Sequence, residues 1–423
     1  MTAVAGEPAA APGRKPVRGR PRIPPWARLA IIIAVGVGIL SLTATLTGQL
    51  QLTSRGTTQA AVLLLLPILF AGLGGLWAER AGVINIGLEG MMILGTWGAA
   101  WAGYQWGPWA AVVGGLVFGA LGGVLHAVAT VTFGVNHIVS GVAITLLGLG
   151  VTKYLSTLLF LPVSQNPRQS PRVDGFDTFS VQPLADGLAA VEAEQRVLLS
   201  DVAGLLGGLI GGLTPLVVIG FALVPISYLV LWRTRFGLRL RSCGENPVAA
   251  ESLGVNVYLH KYVAVIASGA LAGLGGAALT LNPGQLGYLE GQTGGRGYIG
   301  LAAMIFGNWR PSGLLAGSAL FGYVDGVQLR AGGEAVHALL YGATILAVAV
   351  ALLWVARRNW RGAAIAAGAG VLVYAVYLSI ETVPREFAAY APQLVTLLVL
   401  AVASQRLRPP AAVGAEYRRG EGD

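Results

Sequence analysis

The chain has 423 residues, of which 55% are hydrophobic and only 11% charged, with 62 glycines and a formal net charge of +9. A soluble globular domain carries roughly 25% charged residues, so this composition excludes a water-soluble fold and specifies an integral membrane protein. A single cysteine, Cys243, leaves no intrachain disulfide and no cysteine-ligated metal cluster.

Residues 1–26, rich in Pro, Arg, Ala and Gly and without helical periodicity, read as a disordered basic arm. Hydrophobic windows then predict spans over Arg28–Thr47, Thr57–Trp77, Val83–Tyr104, Pro108–Val131 and His137–Leu161. Within AERAGVINIGLEGMM (Ala78–Met92), Asn85 and Glu89 stand at i and i+4, on one face of a helix with Met92. A charge at a helix centre costs about 2.5 to 3.5 kcal/mol on insertion scales, so it faces a cavity or a partner. Two roles stand for the pair: a polar seam inside the bundle, or hydrogen bonds to neighbouring helix ends. Further on, Asn136 precedes an apolar run and reads as its N-cap, with ligand contact the alternative.

Residues 162–213 form a polar insertion that reads as an external loop. After a span over Pro215–Trp232 comes RTRFGLRLRSCGENPVAAESLGVNV (Arg233–Val257), in a basic loop running to Lys261. Asn246 is suited to an N-cap, Pro247 to a first helical position and Gly254 to a C-terminal stop. The spacing predicts a short helix over Pro247–Leu253, with Ala249 and Ala250 leaving a smooth docking face for a partner.

Segments over Tyr262–Leu281, Gly297–Phe306, Gly313–Gln328, His337–Ala356, Gly362–Ser379 and Ala388–Val402 bring the hydrophobic stretches to twelve. The stretch Gly297–Phe306 is too short to cross about 30 Å at 1.5 Å per residue and is re-entrant or broken, so the fold is all-α with about ten to twelve spans. The glycines of TGGRGYIGLAAMIFGNWRP, from Thr293, let the backbone leave the helix, which is tolerated at membrane depth only when buried or lining a cavity. A simple outer loop is the other reading.

Lys and Arg accumulate in cytoplasmic loops. An inside amino terminus, with alternation through twelve segments, puts Arg233, Arg235, Arg239 and Arg241 in one cytoplasmic loop and Arg357, Arg358 and Arg361 in another. Arg406, Arg408 and the tail 409–423 then lie inside as well. The positive charge is an orientation signal, and nucleic acid is not an expected partner.

Four histidines, His126, His137, His260 and His337, are scattered without metal-ligand spacing. Lys15, Lys153 and Lys261 are the only lysines and none follows a glycine, so no Gly-Lys-Ser/Thr phosphate loop exists. The chain is therefore expected to be no enzyme and to hold no cofactor, with any ATP used by another polypeptide. Transport across the lipid bilayer remains.

AERAGVINIGLEGMM, NHIVSGVAI, RTRFGLRLRSCGENPVAAESLGVNV and GYIGLAAMIFGNWRP together resemble the ABC-transporter permeases for nucleosides and simple sugars, in the branched-chain amino acid and ribose permease group. The likeness runs from about Leu64 to Arg330 and returns at Ala391–Arg408, and the NIGLEGMM form is similar to the second permease of a heterodimeric pair. The resemblance implies a multi-pass cell-membrane protein with the ABC importer permease fold. It further implies ATP-driven import with a cytoplasmic ABC ATPase, a second homologous permease and an extracytoplasmic substrate-binding lipoprotein. Gly244, Glu245, Asn246, Pro247, Ala249, Ala250 and Gly254 then belong to the coupling helix that docks on the ATPase. Asn85, Glu89, Asn136 and Thr293 are the candidates for the translocation path. The long arm and an inserted hydrophobic hairpin over residues 337–382 depart from the family pattern. The rival reading is a secondary transporter driven by an ion gradient, with Glu89 as the coupling carboxylate.

Overall fold

The computed structural model describes residues 25–384 and 407–418 together with Phe387, Tyr390, Gln393 and Gly420. The arm before residue 25 and nearly all of the expected span Ala388–Val402 lie outside the described residues. In chain order the helices are α1 (Pro25–Thr47), α2 (Arg55–Arg80), α3 (Leu88–Trp106), α4 (Pro108–Ala127, prolonged by a π turn to Thr132), α5 (His137–Leu159) and α6 (Leu161–Ser164). There follow α7 (Gln182–Ala193), α8 (Leu199–Ile210), α9 (Pro215–Arg233), α10 (Arg235–Glu245) and α11 (Pro247–Ser252). The last four are α12 (Val257–Thr280), α13 (Arg296–Phe306), α14 (Pro311–Ala356) and α15 (Trp360–Ser379). Among the described residues, seven helices are long and apolar enough to cross a membrane: α2, α4 with its π turn, α5, α9, α12, α14 and α15.

α2 is apolar on every side and occupies the middle, as a helix without a polar face must. Leu66, Ile68, Leu69, Phe70, Leu73 and Leu76 are all fully buried in one core with residues of α9, α12, α13 and α14. Lipid is as apolar as leucine, so helices in a bilayer are held by close packing rather than by expulsion from solvent. The closest packing joins α4 to α12. Gly115 and Gly119 of α4 face Gly273 of α12, where an added Cβ would lie 2.1 Å from the Gly115 carbonyl oxygen.

Three expectations are corrected. The span expected over Val83–Tyr104 begins only at Leu88, because Gly82, at φ +88°, turns the chain away from α2 and residues 81–87 are not helical. α14 is two helical stretches joined across a kink at Gly332 (φ 67°, ψ −158°), which keeps the expected segments Gly313–Gln328 and His337–Ala356 distinct. α15 folds back on it, with the His337 ring stacked 4.3 Å from that of Tyr377. The insertion 162–213 is not merely loop: it contains α7 and α8, and the Asp201 carboxylate of α8 accepts from Ser41 of α1 and from Thr53. Lastly, the stretch expected to be loop up to Lys261 is mostly helix, and Lys261 is a buried residue of α12.

The α4–α12 contact yields a stability prediction. Gly273→Leu should lose about 3 kcal/mol or more, since overfilling a packed site costs about 1 to 3 kcal/mol even where side chains can yield, and here the obstacle is backbone. Gly150→Ala, with nothing within 4 Å of the added Cβ, should match the parent. Unfolding midpoints of the purified proteins in a denaturing-detergent titration measure both; equal midpoints for Gly273→Leu and the parent would contradict the packing.

Candidate functional site

α3 and α13 both begin inside the bundle, and their first turns meet. Leu88, the first residue of α3, packs on Gly74 and Gly75 of α2. That is about 9 Å short of the α2 terminus at Arg80, at 1.5 Å per residue. Glu89, 5% exposed, is the second residue of α3. Its carboxylate accepts from the backbone N–H of Gly295 at 3.0 Å on one oxygen and of Gly297 at 2.8 Å on the other. These amides open α13, whose first turn has no intrahelical acceptor for them and carries the positive end of the helix dipole. Gly295 takes φ +80°, and a Cβ on Gly297 would lie 2.6 Å from the Glu89 backbone, so glycine is required at both positions.

The next residue in this junction, Arg296, reaches α14, where its Nη2 is 3.1 Å from Asp325 Oδ2, with both side chains largely buried. Thr293 is buried in the turn before α13, and its carbonyl accepts from the Arg296 amide at 2.9 Å. The junction thus gathers Glu89, Thr293, Arg296 and Asp325. Sequence reasoning missed the last two, although each is a lone charge in an apolar stretch, which at membrane depth marks a paired group.

The shared helical face expected for Asn85 and Glu89 does not exist, because Asn85 lies in the non-helical stretch before α3. Asn85 is fully buried there, its Nδ2 donating to Ser268 Oγ of α12 at 2.8 Å, and its Oδ1 has no protein partner. Backbone in this stretch needs acceptors and donors that lipid does not supply. Ile84 C=O faces His126 Nε2 at 2.9 Å, and Ile84 N–H donates to His137 Nδ1 at 3.2 Å. A carbonyl only accepts and an amide only donates, so His126 carries its proton on Nε2 and His137 leaves Nδ1 bare. Two of the four histidines that looked scattered, His126 and His137, are the props of the broken segment. Asn136 remains exposed as the α5 N-cap, accepting from Ile138 N–H at 2.9 Å and Val139 N–H at 3.3 Å, which is the capping role.

At the Arg80 end stand α10 and α11. Asn246 Oδ1 accepts from Ala249 N–H at 3.0 Å, Pro247 opens α11, and Gly254 takes φ +79° just after it. The helix ends at Ser252, with Leu253 as its cap. Ala249 faces outward, but Ala250 does not: it is 2% exposed and packs with Cys243 and Val257. The face offered outward is instead Val248, Ala249, Ser252 and Leu253, the last 85% exposed. Glu245 lies 3.9 Å from Arg80, which donates to Trp309 C=O at 2.7 Å, while Trp309 Nε1 donates to Glu79 at 2.6 Å. Gly244 is closed in, a Cβ there meeting the Arg80 carbonyl oxygen at 2.3 Å. Burial pushes the Cys243 thiol up to about 11, so it stays protonated at neutral pH.

The junction carries its own prediction. Hydrogen bonds to a charged group are worth about 1.5 to 3 kcal/mol each. Glu89→Ala should therefore lower stability by about 3 kcal/mol, and Glu89→Gln, which keeps one acceptor, by less. Denaturing-detergent midpoints would show the ordering parent, Gln, Ala; an alanine variant as stable as the parent would refute the bracing role.

Residues 57–349 match the family described as branched-chain amino acid transport system / permease component. The chain is 33% identical over 270 residues to the guanosine ABC transporter permease protein NupQ of Bacillus subtilis, covering 62% of this chain and 78% of that one. It is 34% identical over 267 residues to the nucleoside ABC transporter permease protein NupC of Lactococcus lactis, covering 60% and 76%. It is 27% identical over 286 residues to the glucose ABC transporter permease protein TsgB13 of Haloferax volcanii, covering 61% and 70%. No solved structure matches the chain. With a multi-helix membrane bundle and a family match over more than half its length, the chain belongs to the branched-chain amino acid transport system / permease component family.

Proposed function

We propose that this chain is the membrane permease subunit of an ATP-driven ABC importer whose cargo is a nucleoside or a simple sugar. Similarity to permeases named for guanosine, nucleosides and glucose supports the cargo class. The energy comes from a separate cytoplasmic ATPase, and an extracytoplasmic binding lipoprotein delivers the cargo. The NIGLEGMM form supports pairing with a second, homologous permease. The concentration of arginine around α9–α10 and the α14–α15 turn supports a cytoplasmic location for α11 and both termini. The hairpin 337–382 is an addition to the common permease body, of which the family match reaches only the first residues, to 349.

The observation that carries this reading over an ion-coupled carrier is the position of Glu89. Both carboxylate oxygens are occupied by backbone amides, at 3.0 and 2.8 Å. That fixed engagement with the start of α13 supports a bracing role for the group over a role in ion coupling. The Glu89–Arg296–Asp325 junction belongs to the permeation half of the molecule. α11, with its outward Val248, Ala249 and Leu253, is the contact to the ATPase.

Uptake of labelled guanosine and glucose in cells with ATP clamped and a protonophore added tests the proposal. Uptake should persist, and Gly254→Trp should reduce it about tenfold or more, because φ +79° disfavours a side chain and the indole crowds the docking face. Loss of uptake on collapsing the proton gradient, with Gly254→Trp behaving as the parent, would establish the ion-coupled carrier instead.

A further inference from the structure

Residues 407–418 lie across the end of the bundle that carries α10 and α11. Arg408 N–H donates to Asn308 Oδ1 at 2.8 Å, in the turn between α13 and α14. Ala411 N–H donates to Glu245 at 3.2 Å, and Ala412 N–H to Gly244 C=O at 2.9 Å, at the α10–α11 junction. Gly414 N–H then donates to Gly82 C=O at 3.0 Å, at the entry to the non-helical stretch before α3. Finally, Tyr417 OH donates to Glu251 of α11 at 2.6 Å, and Lys261 Nζ of α12 lies 5.3 Å from the Tyr417 ring centre.

Two residues make this path specific. Gly414 takes φ +79°, which favours glycine, and a Cβ there would lie 2.7 Å from the Ile84 side-chain end, so a larger residue would have to displace Ile84 of the broken segment. Tyr417 packs against the cluster of Cys243, Ala250 and Val257 that seats α11 on α10 and α12. Most of the remaining bonds use backbone donors, so they depend on the course of the chain more than on its side chains.

We propose that residues 407–418 are a transmission strap, with Gly414 and Tyr417 as positioning residues, that holds α11 in register with residues 81–87. A displacement of α11 is thereby passed to the segment leading into Glu89. The strap supplies a route from α11 to that segment in addition to the Glu245–Arg80 pair, in which Glu245 is 55% exposed and which is weak for that reason. The proposal rests on the assignment of α11 as the ATPase contact.

The chain contains its own reporter, since Cys243 is its single cysteine, fully buried beneath Tyr417. The test uses the full-length chain reconstituted with its ATPase, companion permease and binding protein, the companions made cysteine-free. Two quantities are read: the rate of maleimide labelling at Cys243, and guanosine or glucose carried per ATP hydrolysed. Gly414→Val should raise the labelling rate about tenfold and lower cargo per ATP about tenfold, while ATP hydrolysis continues. Tyr417→Phe, which keeps the ring and removes one hydrogen bond, should move both quantities the same way by about threefold.

Faster labelling with unchanged cargo per ATP would overturn the proposal, leaving the tail as a cover over the thiol. Unchanged labelling with unchanged cargo per ATP would overturn it too, because the tail would not be seated on α11. Gly254→Trp separates the two levels of inference. If it uncouples while Gly414→Val and Tyr417→Phe do not, the strap alone fails. If it leaves cargo per ATP unchanged, the assignment of α11 fails with it.

Discussion

A carboxylate held by two backbone amides is the constraint around which the rest of this bundle is arranged. Two helices that begin inside a membrane protein expose first-turn N–H groups that lipid cannot satisfy. Glu89 answers those of α13 while standing in the first turn of α3, where a negative charge also suits the local helix dipole. The fit explains its surroundings: Gly295 must adopt positive φ, Gly297 must have no side chain, and Arg296 is turned outward to Asp325. A helix of 11 residues that is too short to cross the bilayer becomes a fixed part of the bundle because its start is bonded to its neighbour.

The stretch leading to Glu89 follows the same rule with different chemistry. Ile84 places its carbonyl against His126 and its amide against His137, Gly82 is met by Gly414, and Asn85 leans on Ser268. Irregular backbone inside a membrane protein is thereby enclosed by protein and supported by partners from α4, α5, α12 and residues 407–418. At the Arg80 end, Trp309 C=O and Glu79 bind the α13–α14 turn to α2, so the short helix is tied at both ends.

What was legible in the sequence was local. Asn246, Pro247 and Gly254 announce a short helix because a cap, a first position and a stop are each set by one residue and its immediate backbone, and the structure has that helix to within one residue. Asn136 was readable as a cap for the same reason. The apolar windows located most of the helices, since length and hydropathy suffice for that. The break before Leu88 was not readable, because Val83, Ile84 and Ile86 are as apolar as a helix requires and only Gly82 and Gly87 hint at a turn. Nor was the burial of Ala250, which depends on Cys243 and Val257 brought to it by other helices. The pairing of Arg296 with Asp325, and of His126 with Ile84, joins residues far apart in the chain that no local pattern links. α8 was hidden in an insertion read as polar loop, and its packing on Thr53, Arg55 and Thr58 through Gly204, Gly207 and Gly208 depends on residues far away in the chain.

The central claim is that Glu89 fastens the beginning of α13 to α3. Hydrogen–deuterium exchange over the peptide containing Gly295 and Gly297, in the parent and in Glu89→Ala, measures that bond where it is made. Slow exchange in the parent and fast exchange in the variant, with α2 and α12 equally protected in both, is the predicted result. Equal exchange of that peptide in the two proteins would show that the amides are held by something other than Glu89 and would contradict the account.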